Sequence, residues 1–220
     1  MRSERSYLPA AGRDVLLPVY DPLVRVLGFG KVADALLEQA ALQPRHRVLD
    51  VGCGTGTLAV LIQRRYPDVD VTGIDPDSKA LARAARKAQR AGATLRLDRG
   101  FADALPYDAA TFDRVVSSMM FHHLRTDDKP KALAEWRRVL RPGGRLEFVD
   151  LAAGTHGFLA QFIHGHRPLG PVADDRMLQR LRDAGFTEAQ RTGDRDTLVG
   201  RVAFYHASVR PGGSALPGSA

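Results

Sequence analysis

The sequence predicts an α/β fold with a mostly parallel, doubly wound sheet. From Arg47 onward, short apolar segments alternate with longer amphipathic segments. This alternation is typical of parallel strands whose connecting helices cover both faces of the sheet. The chain has 220 residues, of which 44% are hydrophobic and 26% charged, an ordinary composition for a globular domain. We therefore expect one sheet domain with short additions at its ends.

Local signals place the elements in order along the chain. Strands are expected at 47–51, 69–74, 94–98, 113–118 and 145–149. The helices between them are expected at 58–65, after the capping residue Asp77 as far as Gly92, and at 131–140 before Pro142-Gly143-Gly144. A further helix at 177–184 and a closing β pair at 186–190 and 197–205 complete the predicted sheet.

The two ends of the chain have a different character. Residues 1–44 have little strand character and are expected to form an N-terminal helical cap on a domain spanning 45–207. Residues 208–220 are rich in Gly, Pro and Ser and are expected to be a disordered tail. The cap and the 154–174 segment supply apolar side chains for a lid or pocket: Leu16, Leu17, Tyr20, Leu23, Phe29, Phe158 and Phe162.

Composition also bears on location and partners. No apolar run approaches a membrane span, and the start of the chain does not resemble a secretory signal. Cys53 is the only cysteine, which suits a reducing cytoplasm. The net charge of +7 favours contact with an anionic partner or a membrane surface, unless the arginines are simply solvated. We expect a cytoplasmic monomer or homodimer, and vesicle co-sedimentation lost at high salt would indicate peripheral membrane contact.

A glycine-rich turn carries the strongest functional signal. The strand at 47–51 runs directly into Gly52, Gly54 and Gly56, with Asp50 two positions before the first glycine. Dinucleotide sites use a different glycine spacing, and phosphate-binding loops place a lysine after the glycines. A carboxylate at position 50 would repel a pyrophosphate but suits a cationic amino group. The turn therefore favours a cationic ligand at the carboxyl end of the strand.

A second carboxylate follows the second strand. Asp75 lies 23 residues after Gly52, where Rossmann-type sites place the acidic residue that binds ribose hydroxyls. The alternative is that Asp75 only begins a turn with Pro76. With the glycine turn nearby, we interpret Asp75 as a ribose ligand and Pro76 as a surface for adenine.

Together these segments resemble the class I S-adenosylmethionine-dependent methyltransferases, and among them the ubiquinone/menaquinone C-methyltransferase branch. The matching segments are 48–56, 71–77, 100–107, 111–116 and 134–148, the last containing Leu140-Arg141-Pro142-Gly143-Gly144. The resemblance implies a Rossmann-like sheet of seven strands, closed by an antiparallel strand. It also implies S-adenosylmethionine as cofactor and S-adenosylhomocysteine as product. The implied cofactor-binding residues are Tyr20, Asp50, Gly52, Cys53, Gly54, Asp75, Pro76, Ala102, Asp103 and Ser118.

Two positions depart from the family pattern. Phe101 stands where relatives often carry the adenine-facing acidic residue, and His122-His123 stands where the quinone C-methyltransferases carry Arg-Asn. Either histidine could act as general base at neutral pH, or could pack and orient substrate instead. No metal site is expected.

The acceptor is left open by the sequence. We expect a small molecule methylated at O, N or C. A membrane lipid or lipid-like quinone is an alternative acceptor, and a non-enzymatic scaffold that retains the cofactor fold is an alternative function. Nucleic acid is not expected, because the chain has no RNA-binding module and no aromatic-interleaved basic stretch.

Overall fold

The computed structural model describes residues 29–152, 174–197 and 200–212. The strands are β1 (Arg47–Val51), β2 (Asp70–Asp75), β3 (Arg96–Arg99), β4 (Phe112–Ser118), β5 (Leu140–Leu151), β6 (Thr187–Thr197) and β7 (Gly200–Ser208). The helices are α1 (Phe29–Ala40), α2 (Thr57–Arg65), α3 (Ser78–Ala91), α4 (Lys129–Val139) and α5 (Asp174–Asp183), with a 3₁₀ turn at Phe121–His123.

All seven strands form one sheet in the order β3-β2-β1-β4-β5-β7-β6. The first five strands pair in parallel, and β7 is antiparallel to both β5 and β6. The predicted mostly parallel sheet with an antiparallel closing strand is therefore confirmed. The chain moves outward from β1 to β3 on one side and restarts at β4 on the other. A crevice is expected at such a switch point, beyond the carboxyl ends of β1 and β4.

Both faces of the sheet are covered by helices. One apolar cluster joins α4 and α5 to the sheet and contains Phe121, Trp136, Phe148 and Met177, all essentially without solvent exposure. A second cluster joins α1 and α2 to the opposite face. Burial on both faces explains the apolar runs of inner strands such as β1 and β7, whereas the edge strands β3 and β6 are polar and more exposed.

Helix α1 is fixed to the sheet by polar contacts as well as by its apolar face. The Gln39 side-chain amide donates to Glu147 Oε2 at 2.6 Å and to the carbonyl of Tyr205 at 2.9 Å. Glu147 also pairs with His206 Nδ1 at 2.7 Å, and both side chains are buried. Residues 29–40 thus form a packed layer of the sheet domain. Residues 1–28 lie outside the described residues, and the division at residue 44 stays a prediction.

Several boundaries differ from the sequence expectation. Strand β6 extends to Thr197 instead of ending at 190, and β7 begins at Gly200 instead of at 197. Helix α4 ends at Val139, and Pro142-Gly143-Gly144 lies inside β5, where the pairing with β4 shifts register. Hydrogen bonds join Val209 to Gly143 and Gly144, so ordered backbone continues past residue 207. The Pro-Gly-Gly segment therefore forms an irregular start of β5, because Val209 supplies hydrogen-bond partners for its backbone. None of the described helices is long and apolar enough to cross a membrane.

Candidate active site

The turn after β1 is fixed to the end of β2 by its backbone. The amides of Gly52 and Cys53 both donate to the carbonyl of Ile74, at 2.8 and 3.1 Å. Gly52, Gly54 and Gly56 have φ values of 72°, 53° and 74°, in the left-handed region that side chains with a Cβ avoid. These backbone angles explain why the turn carries glycine at all three positions.

The glycines differ in what surrounds them. A Cβ on Gly52 would lie 2.1 Å from Cγ of Met120, whereas a Cβ on Gly54 would meet no heavy atom of the described residues within 4 Å. Gly52 is thus required by packing from the end of β4. Gly54 instead faces open space, in which a ligand can approach the backbone closely.

This difference predicts unequal costs for two matched substitutions. Gly54→Ala should lower the free energy of unfolding by about 1–2 kcal/mol, because only the left-handed backbone is strained. Gly52→Ala should cost about 1–3 kcal/mol more, because Met120 must also move. Denaturant unfolding of both variants tests this prediction. Equal losses of stability would contradict the packing role assigned to Gly52.

Cys53 lies in the same turn, but its thiol packs into the protein. A Cβ on Gly73 of β2 would lie 2.9 Å from Cys53 Sγ, so the side chain occupies space that Gly73 leaves. Burial raises the pKa of the thiol, and Asp50 and Asp75 add to the effect. Any ligand contact by Cys53 would therefore come from its backbone.

Asp50 ends β1 beneath the turn and is only 1% exposed. The amide of Ala59, in the first turn of α2, donates to its carboxylate. Oδ2 has no hydrogen-bond partner among the residues that the structure describes. Burial, together with the charge of Asp75, raises the pKa of Asp50 to about 7. A buried acceptor of this kind is costly unless a donor or a cation joins it.

Asp75 ends β2 beside the same turn. Its Oδ2 accepts the amide of Gly54 at 2.9 Å, and its Oδ1 accepts the amide of Asp77 at 2.9 Å. Burial raises the pKa of Asp75, while these two amides oppose the shift. A carboxylate can accept about four hydrogen bonds, so each oxygen keeps capacity for a hydroxyl group. Asp77 caps α3 as the sequence predicts, accepting the amides of Lys79 and Ala80.

The loop after β3 borders this carboxylate. Its first residue, Gly100, donates its amide to the carbonyl of Asp75 at 3.2 Å. Phe101 and Ala104 form an isolated bridge that presents Ala102, 9% exposed, and the half-buried Asp103 between them. The loop after β3 therefore begins beside Asp75, at the carboxyl end of β2.

The end of β4 turns sharply into the two histidines. Ser118 is the last residue of β4, and Met119 has a φ of 56°, which is unusual for a residue with a long side chain. The 3₁₀ turn that follows buries Phe121 in the core and brings the rings of His122 and His123 within 4.0 Å, centroid to centroid.

His122 pairs with a carboxylate that sequence reasoning missed. Its Nδ1 lies 2.6 Å from Oδ1 of Asp150, and its backbone amide donates to Oδ2 at 3.0 Å. Asp150 is 2% exposed and the side chain of His122 5%. Burial would raise the pKa of Asp150, but the His122 contacts and the Leu151 amide outweigh it and lower that pKa. An ionised carboxylate only accepts, so Nδ1 donates to Asp150 and, in the neutral ring, Nε2 is the nitrogen without a proton.

A sequence signal for Asp150 did exist. It stands near the carboxyl end of β5, the strand beside β4, and such ends converge on one edge of a parallel sheet. Tyr20 and the lid residues Leu16, Leu17, Leu23, Phe158 and Phe162 lie outside the described residues. All other predicted site residues lie at the carboxyl ends of β1 to β4 or in the segments that follow them.

These residues fit a cationic nucleoside. The buried oxygen of Asp50, which lacks a partner among the described residues, suits an ammonium group. The backbone at Gly54 allows close approach, and Asp75 retains acceptor capacity for hydroxyls. The three features meet where β1 and β2 end, which is where open α/β sheets bind ligands.

Comparisons with known proteins agree with this geometry. The family described as "Methyltransferase domain" matches residues 48–144. The chain is 38% identical to a demethylmenaquinone methyltransferase of Thermus thermophilus over 66% of its length, and 38% identical to one of Deinococcus radiodurans over 69%. It is 34% identical to 27-O-demethylrifamycin SV methyltransferase of Amycolatopsis mediterranei over 70%. These alignments span 67%, 64% and 52% of the relatives' own lengths.

Solved structures show the same fold. A crystal structure of a S-adenosylmethionine-dependent methyltransferase from Aquifex aeolicus superposes with a TM-score of 0.62 at 20% identity, covering 80% of this chain and 89% of the other. The chain therefore belongs to the S-adenosylmethionine-dependent methyltransferases.

Proposed function

We propose that the protein transfers a methyl group from S-adenosylmethionine to a small molecule through an acidic hydroxyl group, such as that of a phenol or hydroquinol. The observation that carries this proposal is the buried pair of His122 and Asp150, with 2.6 Å between Nδ1 and Oδ1. An amine acceptor needs only to be neutral, whereas a hydroxyl gains from a positioned base. The pair therefore favours a hydroxyl acceptor.

Different residues of the donor site would bind different parts of S-adenosylmethionine. Asp50 would hold the ammonium group, Asp75 the ribose hydroxyls, and Pro76, Ala102 and Asp103 would border the adenine. The chemistry that bound S-adenosylmethionine supplies is a methyl group on a sulfonium that leaves a neutral thioether. The chain's remaining task is to orient an acceptor and exclude water, which can lower a barrier by ~7–11 kcal/mol.

The charge of Asp50 predicts a pH dependence of donor binding. With a pKa of about 7, Asp50 is largely protonated in acid and must lose that proton to bind an ammonium group. Affinity should therefore rise with pH up to about 7, by at most about tenfold per unit, and binding should release protons. Calorimetry between about pH 5.5 and 7, where an α-ammonium group keeps its charge, measures both effects.

Asp50→Asn is the matched control for this prediction. The amide keeps the shape of the side chain but does not titrate, so donor binding should be weaker and nearly independent of pH. Wild-type affinity that stays constant over this range would contradict the ammonium assignment.

On the acceptor side, His122 removes the hydroxyl proton at Nε2. Asp150 keeps the proton of the ring on Nδ1 and stabilises the positive charge that the ring acquires. The negative charge left on the acceptor can react at oxygen, or at a ring carbon beside it. The relatives' names include both menaquinone and rifamycin methylation, and the rifamycin relative is named for an oxygen position. We favour the oxygen.

A labelled-methyl screen tests the proposal. The protein is incubated with S-adenosylmethionine carrying a radioactive methyl group and with matched phenol, hydroquinol and aniline acceptors. Label should enter the hydroxyl compounds, and product analysis separates oxygen from carbon methylation. Transfer to the anilines alone would contradict the proposal.

A further inference from the structure

An ion pair on α4 contacts the loop that borders the donor site. Arg138 Nε lies 2.7 Å from Glu135 Oε1, and its Nη2 lies 2.8 Å from Oε2, so the pair is bidentate. Both side chains are partly exposed, at 35% and 22%. A surface pair of this kind ordinarily contributes little to stability. Its other contacts suggest a different role.

Each member of the pair also binds loop backbone. The amide of Leu105 donates to Glu135 Oε2 at 2.8 Å. Arg138 donates from Nη1 to the carbonyl of Tyr107 at 2.7 Å and from Nη2 to the carbonyl of Leu105 at 3.1 Å. The 100–111 loop has no helix or strand, apart from the isolated bridge of Phe101 and Ala104. One ion pair thus satisfies three backbone groups of an otherwise irregular segment.

The pair is charged and therefore binds these groups strongly. Its hydrogen bond to Arg138 lowers the pKa of Glu135 against the opposing effect of burial, and the same bond raises the pKa of Arg138. Charge-assisted hydrogen bonds are about twice as strong as neutral ones. The loop they hold begins at Gly100, which is bonded to Asp75, and carries Ala102 and Asp103.

We propose that Arg138 is a positioning residue for donor binding, which acts with Glu135 to hold Ala102 and Asp103 against the adenine. The proposal rests on the adenine-binding role given to this loop under the proposed function. Arg138 does not itself touch the donor. Its loss should therefore weaken donor affinity and leave the rate at saturating donor nearly unchanged.

The chain offers a closely matched control. Arg141 pairs with Asp113 through one nitrogen, Nη1, which lies 2.8 Å from Oδ1 and 3.0 Å from Oδ2, and the side chains are 41% and 21% exposed. Arg141 is three residues after Arg138, but its partner Asp113 accepts the amide of Arg47 at the amino-terminal edge of the sheet, opposite the donor site. It is likewise an arginine–carboxylate ion pair of similar exposure, but it does not hold a loop of the donor site.

The experiment compares Arg138→Met, Arg138→Lys, Glu135→Gln and Arg141→Met. Calorimetry without acceptor gives the Kd for S-adenosylmethionine and S-adenosylhomocysteine, and steady-state kinetics gives KM for the donor and kcat. Arg138→Met should raise both Kd values by about tenfold, since both ligands carry the adenosine. The Kd values of Arg138→Lys should lie between those of wild type and Arg138→Met. The kcat of the Arg138 variants should stay within about twofold of wild type. Arg141→Met should bind the donor with wild-type affinity.

Wild-type donor affinity in Arg138→Met would overturn the proposal, as would equal losses in Arg138→Met and Arg141→Met. If Arg138→Met does not fold, Arg138→Lys and Glu135→Gln decide, and wild-type affinity in both overturns it. Asp75→Ala separates this failure from a failure of the donor site. Weakened binding in Asp75→Ala with normal binding in the Arg138 and Glu135 variants rejects the Arg138 role alone. Normal binding in all of these variants rejects the donor-site assignment too.

Discussion

Asp75→Ala is expected to weaken the binding of S-adenosylmethionine by more than about 100-fold. The carboxylate offers two oxygens to the ribose, and each hydrogen bond to a charged group is worth about 1.5–3 kcal/mol. Removing it also releases the amides of Gly54 and Asp77, which hold the glycine turn and the start of α3 in place. Loss of ligand contacts and loss of pre-organisation therefore act in the same direction. Calorimetry with the folded variant measures the effect.

Two variants isolate the carboxylate. Asp75→Asn keeps the size of the side chain and should fall between wild type and Asp75→Ala. Asp70→Asn changes an exposed carboxylate at the opposite end of the same strand and should leave donor affinity unaltered. Wild-type affinity in Asp75→Ala would overturn the ribose assignment.

His122→Ala is expected to lower kcat by about 10²–10⁴-fold while leaving donor affinity unchanged, because a general base contributes that much and does not hold the donor. Asp150→Asn should produce a smaller loss of the same kind, since the amide no longer fixes the proton on Nδ1. Single-turnover methyl transfer measures the chemical step.

The chain contains a matched histidine–carboxylate pair for comparison. His206 lies 2.7 Å from Glu147 and is equally buried, but the pair is held by Gln39 of α1. His206→Gln should cost stability without changing the chemical step. His123→Ala should reduce turnover less than His122→Ala, because Asp150 positions His122. Full activity in His122→Ala would remove the base from the mechanism.

The sheet could be predicted because the sequence patterns that mark its strands and helices each lie within a short segment. Buried strands at the centre of a parallel sheet read as continuous apolar runs, and Asp77 and Gly92 carry helix-end chemistry that does not depend on distant residues. The donor crevice was predictable for the same reason. Asp50, Gly52 and Gly54 lie within five positions of one another, and Asp75 follows the next strand.

The features that were missed depend on contacts between distant segments. Asp150 meets His122 from 28 positions away, and Arg138 meets Leu105 from 33 positions away. Neither pairing has a fixed spacing, because both depend on which strands and helices become neighbours. For a similar reason, the sequence predicts Pro142-Gly143-Gly144 only as the end of a helix. Its place in β5 depends on pairing with residues that follow β7.

A crystal structure of the protein with S-adenosylhomocysteine would show where the donor binds. We expect the adenosine beyond the carboxyl ends of β1 and β2, with both ribose hydroxyls within hydrogen-bonding distance of the Asp75 carboxylate and the ammonium group beside Asp50. An empty crevice under saturating ligand, or a nucleoside bound elsewhere on the protein, would contradict it.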